Sequence, residues 1–266
     1  MSDLGRNGED LLIGHWSRVR ATFFLLTVTL PLVPSATSAQ SSGQGFLFKQ
    51  PTFQVGVHAG YMLAHAGGAV LNHARDQLTL GGRDFDASSW GVEFAVRGSE
   101  RFDLALDFRF SRSDVRSEMR DWLEEGFPIE QTTTFTRIPV TVSTRFYLRD
   151  RGRAISQFAW IPAKWAPFVG AGAGIIWYRF EQNGDFVDIA TCDPTGCAIV
   201  NFTLESNGWA RTAHAFAGVD ISISPRFLWT LEGRYALGRD RTGLSFDYDN
   251  LNLSGFQATI GVSARF

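Results

Sequence analysis

Phe256-Gln257-Ala258-Thr259-Ile260-Gly261-Val262-Ser263-Ala264-Arg265-Phe266 closes the chain, and its reading decides the fold. Every even position is apolar, every odd position is polar or glycine, and the last residue is aromatic. Side chains of a strand point to opposite faces in turn, so this segment carries one apolar wall and one polar wall. A soluble sandwich and a membrane barrel both use such strands, so the remaining sequence must choose between them.

The same period of two recurs upstream. Phe53, Val55, Val57, Ala59 and Tyr61 alternate with Gln54, Gly56, His58 and Gly60. Trp90 to Arg97 alternates in the same way. Phe102 to Phe110 is the clearest case, with large apolar groups against Asp103, Ala105, Asp107 and Arg109. Further strands are expected over Arg137–Phe146, Pro167–Arg179, Trp209–Ile223 and Arg226–Tyr235, which with the last segment makes eight.

The connections carry a second rhythm. Long segments (63–88, 113–132, 181–207 and the stretch before the last strand) alternate with tight turns at Gly98-Ser99-Glu100 and Ser224-Pro225, and with a medium basic segment at 149–164. Barrels in outer membranes sort their loops this way, with short periplasmic turns and long external loops. A sandwich has no reason to. The apolar faces are then lipid-facing, and Trp90, Trp177, Trp209 and Tyr235 at one end and Phe53, Phe102, Phe146, Trp165 and Phe266 at the other form two aromatic girdles.

The start of the chain points to export. Arg18 and Arg20 precede the apolar run Ala21–Val33, followed by Pro34-Ser35-Ala36-Thr37-Ser38-Ala39, a secretory signal with cleavage after Ala39. The run is too short to cross a bilayer as a helix, which takes about 20 residues. The expected organisation is a signal peptide over 1–39, a polar periplasmic linker over 40–51 and a barrel domain over 52–266. The formal charge of −2 gives no reason to expect nucleic acid as a partner.

Taken together, Arg137-Ile138-Pro139-Val140, the run Pro167 to Gly174, Gly218-Val219-Asp220 and the terminal Phe266 resemble the small eight-stranded outer-membrane β-barrels of the OmpA/OmpX type. The resemblance spans residues 52–266. It implies an all-β, closed, antiparallel up-and-down barrel in the cell outer membrane. It also implies a monomer surrounded by outer-membrane lipid, inserted by the barrel assembly machinery through the C-terminal strand and Phe266. It identifies a scaffold and no activity.

Candidate chemistry lies on the inward faces: Glu93, Arg97, Asp103, Asp107, Arg109, Arg137, Arg145, Asp220, Glu232, Arg234 and Arg265. An eight-stranded barrel is just wide enough to be filled by side chains. Charges buried there must pair. A paired ladder that plugs the lumen is therefore expected, with inward glycines making room for the arginines. A narrow polar channel, or an OmpW-like path for small or hydrophobic molecules, is the competing reading. Cys192 and Cys197 flank a good turn in an external loop and are expected to form a disulfide.

His58, His65, His73 and His214 suggest neither a metal site nor a Ser-His-Asp set, so an enzyme, such as a lipid-modifying one, is not expected. No cofactor is expected either. Asp247, Asp249 and Asn250 resemble half a calcium loop but lack its glycine and closing Glu. The charge spacing Arg116, Glu118, Arg120, Glu124 suggests a short amphipathic helical turn in the second long loop, and the basic segment 149–164 reads as a solvated turn. An external ligand at the loops is left open.

Overall fold

The computed structural model describes residues 42–43, 45–124, 126–193, 196–243, 246 and 249–266. The signal segment lies outside the described residues. Eight long strands follow one another: β1 (Phe53–Ala64), β2 (Ala87–Arg97), β3 (Phe102–Glu124), β4 (Phe127–Tyr147), β5 (Trp165–Asp193), β6 (Gly196–Ser222), β7 (Phe227–Arg241) and β8 (Gly255–Arg265). Each pairs antiparallel with the next. β8 then pairs with β1, from Gly255 opposite Ala64 to Arg265 opposite Gln54, which closes the ring. No barrel strand is left with a free edge, the condition for a sheet to stand in hydrocarbon.

The two faces of each strand have inverted polarity relative to a soluble protein. On β8, Phe256, Ile260 and Val262 are exposed, while Gln257, Thr259, Ser263 and Arg265 are buried. The same holds on β3, where Leu104, Leu106, Phe108 and Phe110 face out and Asp103, Asp107 and Arg109 are at most 5% exposed. Such a surface belongs in lipid. Trp90, Trp209 and Tyr235 are exposed toward the long-strand end, and Phe53, Phe102, Phe146, Trp165 and Phe266 toward the short-turn end.

Strands β2 and β8 have 11 residues each, about the length needed to span a bilayer. β5 and β6 have 29 and 27, so their hairpin continues far beyond the apolar belt. The flanks of the cysteine turn extend the hairpin as expected, with pairing as far as Gly196 opposite Asp193.

Three expectations are corrected. The second long loop is not helical: β3 and β4 continue as a hairpin to Glu124 and Phe127, with Gly126 at positive φ in its turn. The strand-forming run Thr132–Thr136 pairs with Arg112–Arg116, and a backbone ladder that runs to Glu118 opposite Glu130 and resumes, after an irregularity, at Leu123 opposite Pro128 outweighs the helical charge spacing. The segment 40–51 is not a plain linker. Ser42–Gly43 and Phe46–Leu47 are strands, and Leu47 pairs with Trp160. The basic segment, for its part, is a hairpin, Gly152–Ser156 with Ala159–Pro162, so a small four-stranded sheet lies at the short-turn end. Its Leu47 and Trp160 are buried, which gives this sheet an apolar reason to sit against the barrel.

At the other end the β1–β2 connection folds inward. Helix α1 (Ala69–Gln77) buries Val70, Leu71 and Ala74, and with Leu78, Leu80 and Phe85 they pack on Phe135, Ile176, Tyr178, Phe180 and Ala210 of the barrel wall. An apolar core thus fills the mouth of the barrel where a polar lumen was expected. This architecture predicts sidedness. Phe127→Cys, at the exposed tip of β3–β4, should react with a membrane-impermeant maleimide on intact cells; Phe158→Cys, in the short-turn sheet, should react only after permeabilisation.

Candidate functional site

The interior is filled in three tiers. Strand alternation sends Glu93 of β2, Asp107 and Arg109 of β3, Arg145 of β4 and Glu232 and Arg234 of β7 into the middle of the barrel. Barrel closure brings these distant segments into contact. Arg109 lies 2.8 Å from both Asp107 and Glu232. Arg234 bonds Glu232 at 2.9 Å and Asp107 at 3.1 Å. Arg145 donates to Glu93 at 2.8 Å and stands 3.8 Å from Glu232. Three guanidinium groups and three carboxylates thus form one knot of zero formal charge. Gln257 accepts a further bond from Arg109 at 3.1 Å, and His58 lies 3.4 Å from Asp107.

Aromatic rings pack beneath the knot. Arg145 lies over Phe168 at 4.3 Å and Arg234 over Phe216 at 4.9 Å. At Gly170 and Gly218 these rings, rather than the arginines, occupy the space left by the glycine. A Cβ on Gly170 would come within 2.2 Å of the Phe216 ring, and one on Gly218 within 2.5 Å of the Phe168 ring. The expected role of Gly170 and Gly218 is corrected accordingly: they admit planar rings at close quarters to the sheet backbone.

The tier at the short-turn end gathers Arg97, Asp103, Asp220 and Arg265. Asp103 is bound by Arg151 at 2.6 Å, and Arg97 reaches Glu100 at 2.8 Å. Asp220 accepts from Tyr147 at 2.8 Å and Thr230 at 2.7 Å. Arg265 donates to Ser222 Oγ at 2.7 Å and lies over the Trp160 ring. Arg151 and Trp160 belong to the segment the sequence presented as a solvated turn. Its basic character hid an arginine committed to the barrel floor and a tryptophan buried beneath it.

Arg137 departs from the paired ladder. It is 1% exposed, donates to the Phe85 carbonyl at 2.9 Å and lies over the Phe135 ring, with no carboxylate within 4 Å among the described residues. It ties the β1–β2 connection to the barrel wall, assisted by Asp86, which accepts from the Ala64 amide at 2.7 Å.

Elsewhere, Cys192 and Cys197 are joined in a disulfide at the β5–β6 tip. Phe266 is held through its backbone, its amide donating to Phe53 O at 2.7 Å, while its ring faces out. Ser143 Oγ and His214 Nε2 meet at 2.9 Å, a pairing that sequence spacing could not show because β4 and β6 are joined only through β5. Both are buried in the barrel, and no carboxylate lies within salt-bridge distance of His214 among the described residues. Among those residues no group of three or more His, Cys, Asp or Glu is placed to hold a metal ion. Asp249 and Asn250 are described; Asp247 lies outside the described residues.

A closed antiparallel ring with an apolar outer belt and a polar, packed interior defines a transmembrane β-barrel of outer-membrane type. No protein-family model and no curated protein matches the chain. Among solved structures it is similar to Neisserial surface protein A, at 12% identity over 80% of this chain and 97% of that one, TM-score 0.43. It is also similar to OprG from Pseudomonas aeruginosa, at 9% identity over 82% and 98%, TM-score 0.41. A third is outer membrane protein W of E. coli, at 17% identity over 83% and 100%, TM-score 0.36. The class rests on the chain's own ring of strands, independently of these likenesses.

Removing one partner of a buried pair strands the other charge. Arg109→Met should therefore lower the free energy of unfolding by about 3–5 kcal/mol in urea titrations of the refolded protein. Arg112→Met, which breaks a half-exposed pair with Asp114, should cost less than about 1 kcal/mol.

Proposed function

We propose that this protein is a monomeric outer-membrane scaffold whose sealed lumen makes it a rigid post for extracellular hairpins. The observation that carries this reading is the neutral knot of Arg109, Arg145 and Arg234 with Glu93, Asp107 and Glu232. Each guanidinium there is committed to a carboxylate, and aromatic rings back the knot. An ion entering would have to displace these partners in a narrow barrel, at a cost of several kcal/mol.

The apolar core above and the Trp160 sheet below support the same reading, since each closes one mouth. The chain is exported by the signal over 1–39 and inserted through its alternating last strand, with Phe266 as the end recognised by the assembly machinery. What it displays is the β3–β4 and β5–β6 hairpins, the second clipped at its tip by the disulfide. The interior groups act structurally and not as catalysts. The Ser143–His214 contact fits that role, being buried within the wall.

The test is single-channel recording of the refolded protein in a planar bilayer, with heat-modifiable gel mobility as the folding control. A folded barrel should give no steady current. Discrete, reproducible openings would refute the seal and turn the inward charges into a selectivity lining.

A further inference from the structure

Above α1, the prolonged walls of β3–β6, with Phe246 and Asp249, line a cavity of about 410 Å³. This is within the size range of small-molecule sites. Its lower side is apolar, formed by Val70, Leu78 and Met119, with Phe186 and Leu204 on the wall. The apolar core lies directly beneath, because Val70 and Leu78 belong to both. The cavity is therefore a pocket with a floor.

One polar group inside it stands out. Gln182 of β5 is 6% exposed, lines the cavity, and makes no side-chain hydrogen bond to any described residue. Its amide is not sealed off from the cavity but opens on it, so a guest there can bond to it. Gln131 of β4, which also lines the cavity, is by contrast engaged, donating to the Asp185 carbonyl at 2.9 Å. An amide offers both a donor and an acceptor, so it matches a group that does the same, such as a primary amide or a hydroxyl. Among the described residues His73 and Asp249 line the cavity and no lysine or arginine does, so no permanently cationic side chain is there to hold a carboxylate guest.

We infer that this vestibule binds a small amphipathic molecule with an aliphatic body and an uncharged hydrogen-bonding head, held by Gln182 with its chain against Val70, Leu78 and Met119. The inference rests on the sealed-scaffold reading for its floor: the guest enters and leaves by the extracellular mouth.

The experiment is a methyl-labelled NMR titration of the full refolded chain in lipid nanodiscs, with octanamide as probe and octanoate as its charged counterpart. Octanamide should produce saturable shifts at the Val70, Leu78 and Met119 methyls, and octanoate should bind more weakly. Gln182→Leu should weaken octanamide binding by about fivefold, the loss expected for one hydrogen bond. Leu204→Trp, which fills the cavity from the wall and leaves α1 intact, should abolish it. Three results would overturn the site: shifts that grow without saturating and fall equally on the lipid-facing Val57 and Leu104, octanoate binding as tightly as octanamide, or binding indifferent to Leu204→Trp. A steady current in bilayer recordings would break the floor, whereas these shifts report the pocket, so the two readings can fail separately.

Discussion

Hydrocarbon offers a peptide group no hydrogen-bond partner, and the rest of this structure follows from that constraint. It forces the sheet to close, so β8 must find β1. Closure with eight strands leaves an interior only as wide as its side chains. The outer face is given over to Phe, Leu, Val and Trp, so the polar half of every alternating strand is confined to that narrow space. Charges placed there are excluded from water and must satisfy one another. The knot of three arginines and three carboxylates is the solution this sequence adopts, and its zero formal charge lets it sit in low dielectric without a counterion.

The two ends are solved differently, because water is near. At the short-turn mouth the charges are looser. Arg97 pairs with the exposed Glu100, Asp220 takes hydroxyl partners, and Arg265 lies over Trp160. At the opposite mouth the chain uses apolar packing, folding α1 back into the ring and fixing its return with Arg137 and Asp86. Above that core the walls no longer face lipid. They are free to enclose a pocket and to carry the disulfide-clipped hairpin outward.

Much of this was legible in the sequence, and the boundary of what was legible is physical. Alternation alone placed Asp103, Asp107, Arg109, Arg145, Glu232 and Arg234 on the inner face, because side-chain direction is a local property of a strand. Partner choice is not local. That Glu232 meets Arg109, which lies 123 residues away, depends on register and closure. The Ser143–His214 contact was hidden for the same reason. Trp160 and Arg151 were misread because a basic segment between strands looks like a solvated turn until a second segment, Phe46–Leu47, is seen to pair with it. The helical reading of Arg116 to Glu124 failed because charge spacing is a weak preference, and the threonine run of β4 starts a ladder that carries β3 on past Arg116, with one irregularity before Leu123. The apolar core at the long-loop mouth could be glimpsed in Ile176, Tyr178 and Phe180, which keep the inward phase of β5. Its other half came from a loop with no strand periodicity at all.

The central claim is that the buried charges act as one neutral unit closing the barrel. The most direct test is a double-mutant cycle on Arg145 and Glu93, read by urea unfolding of the refolded protein. The account predicts that Arg145→Met and Glu93→Leu are each strongly destabilising, and that the double variant recovers most of the loss because no charge is left unpartnered. Losses that simply add would contradict it, since they would mean that the two groups are buried independently of each other.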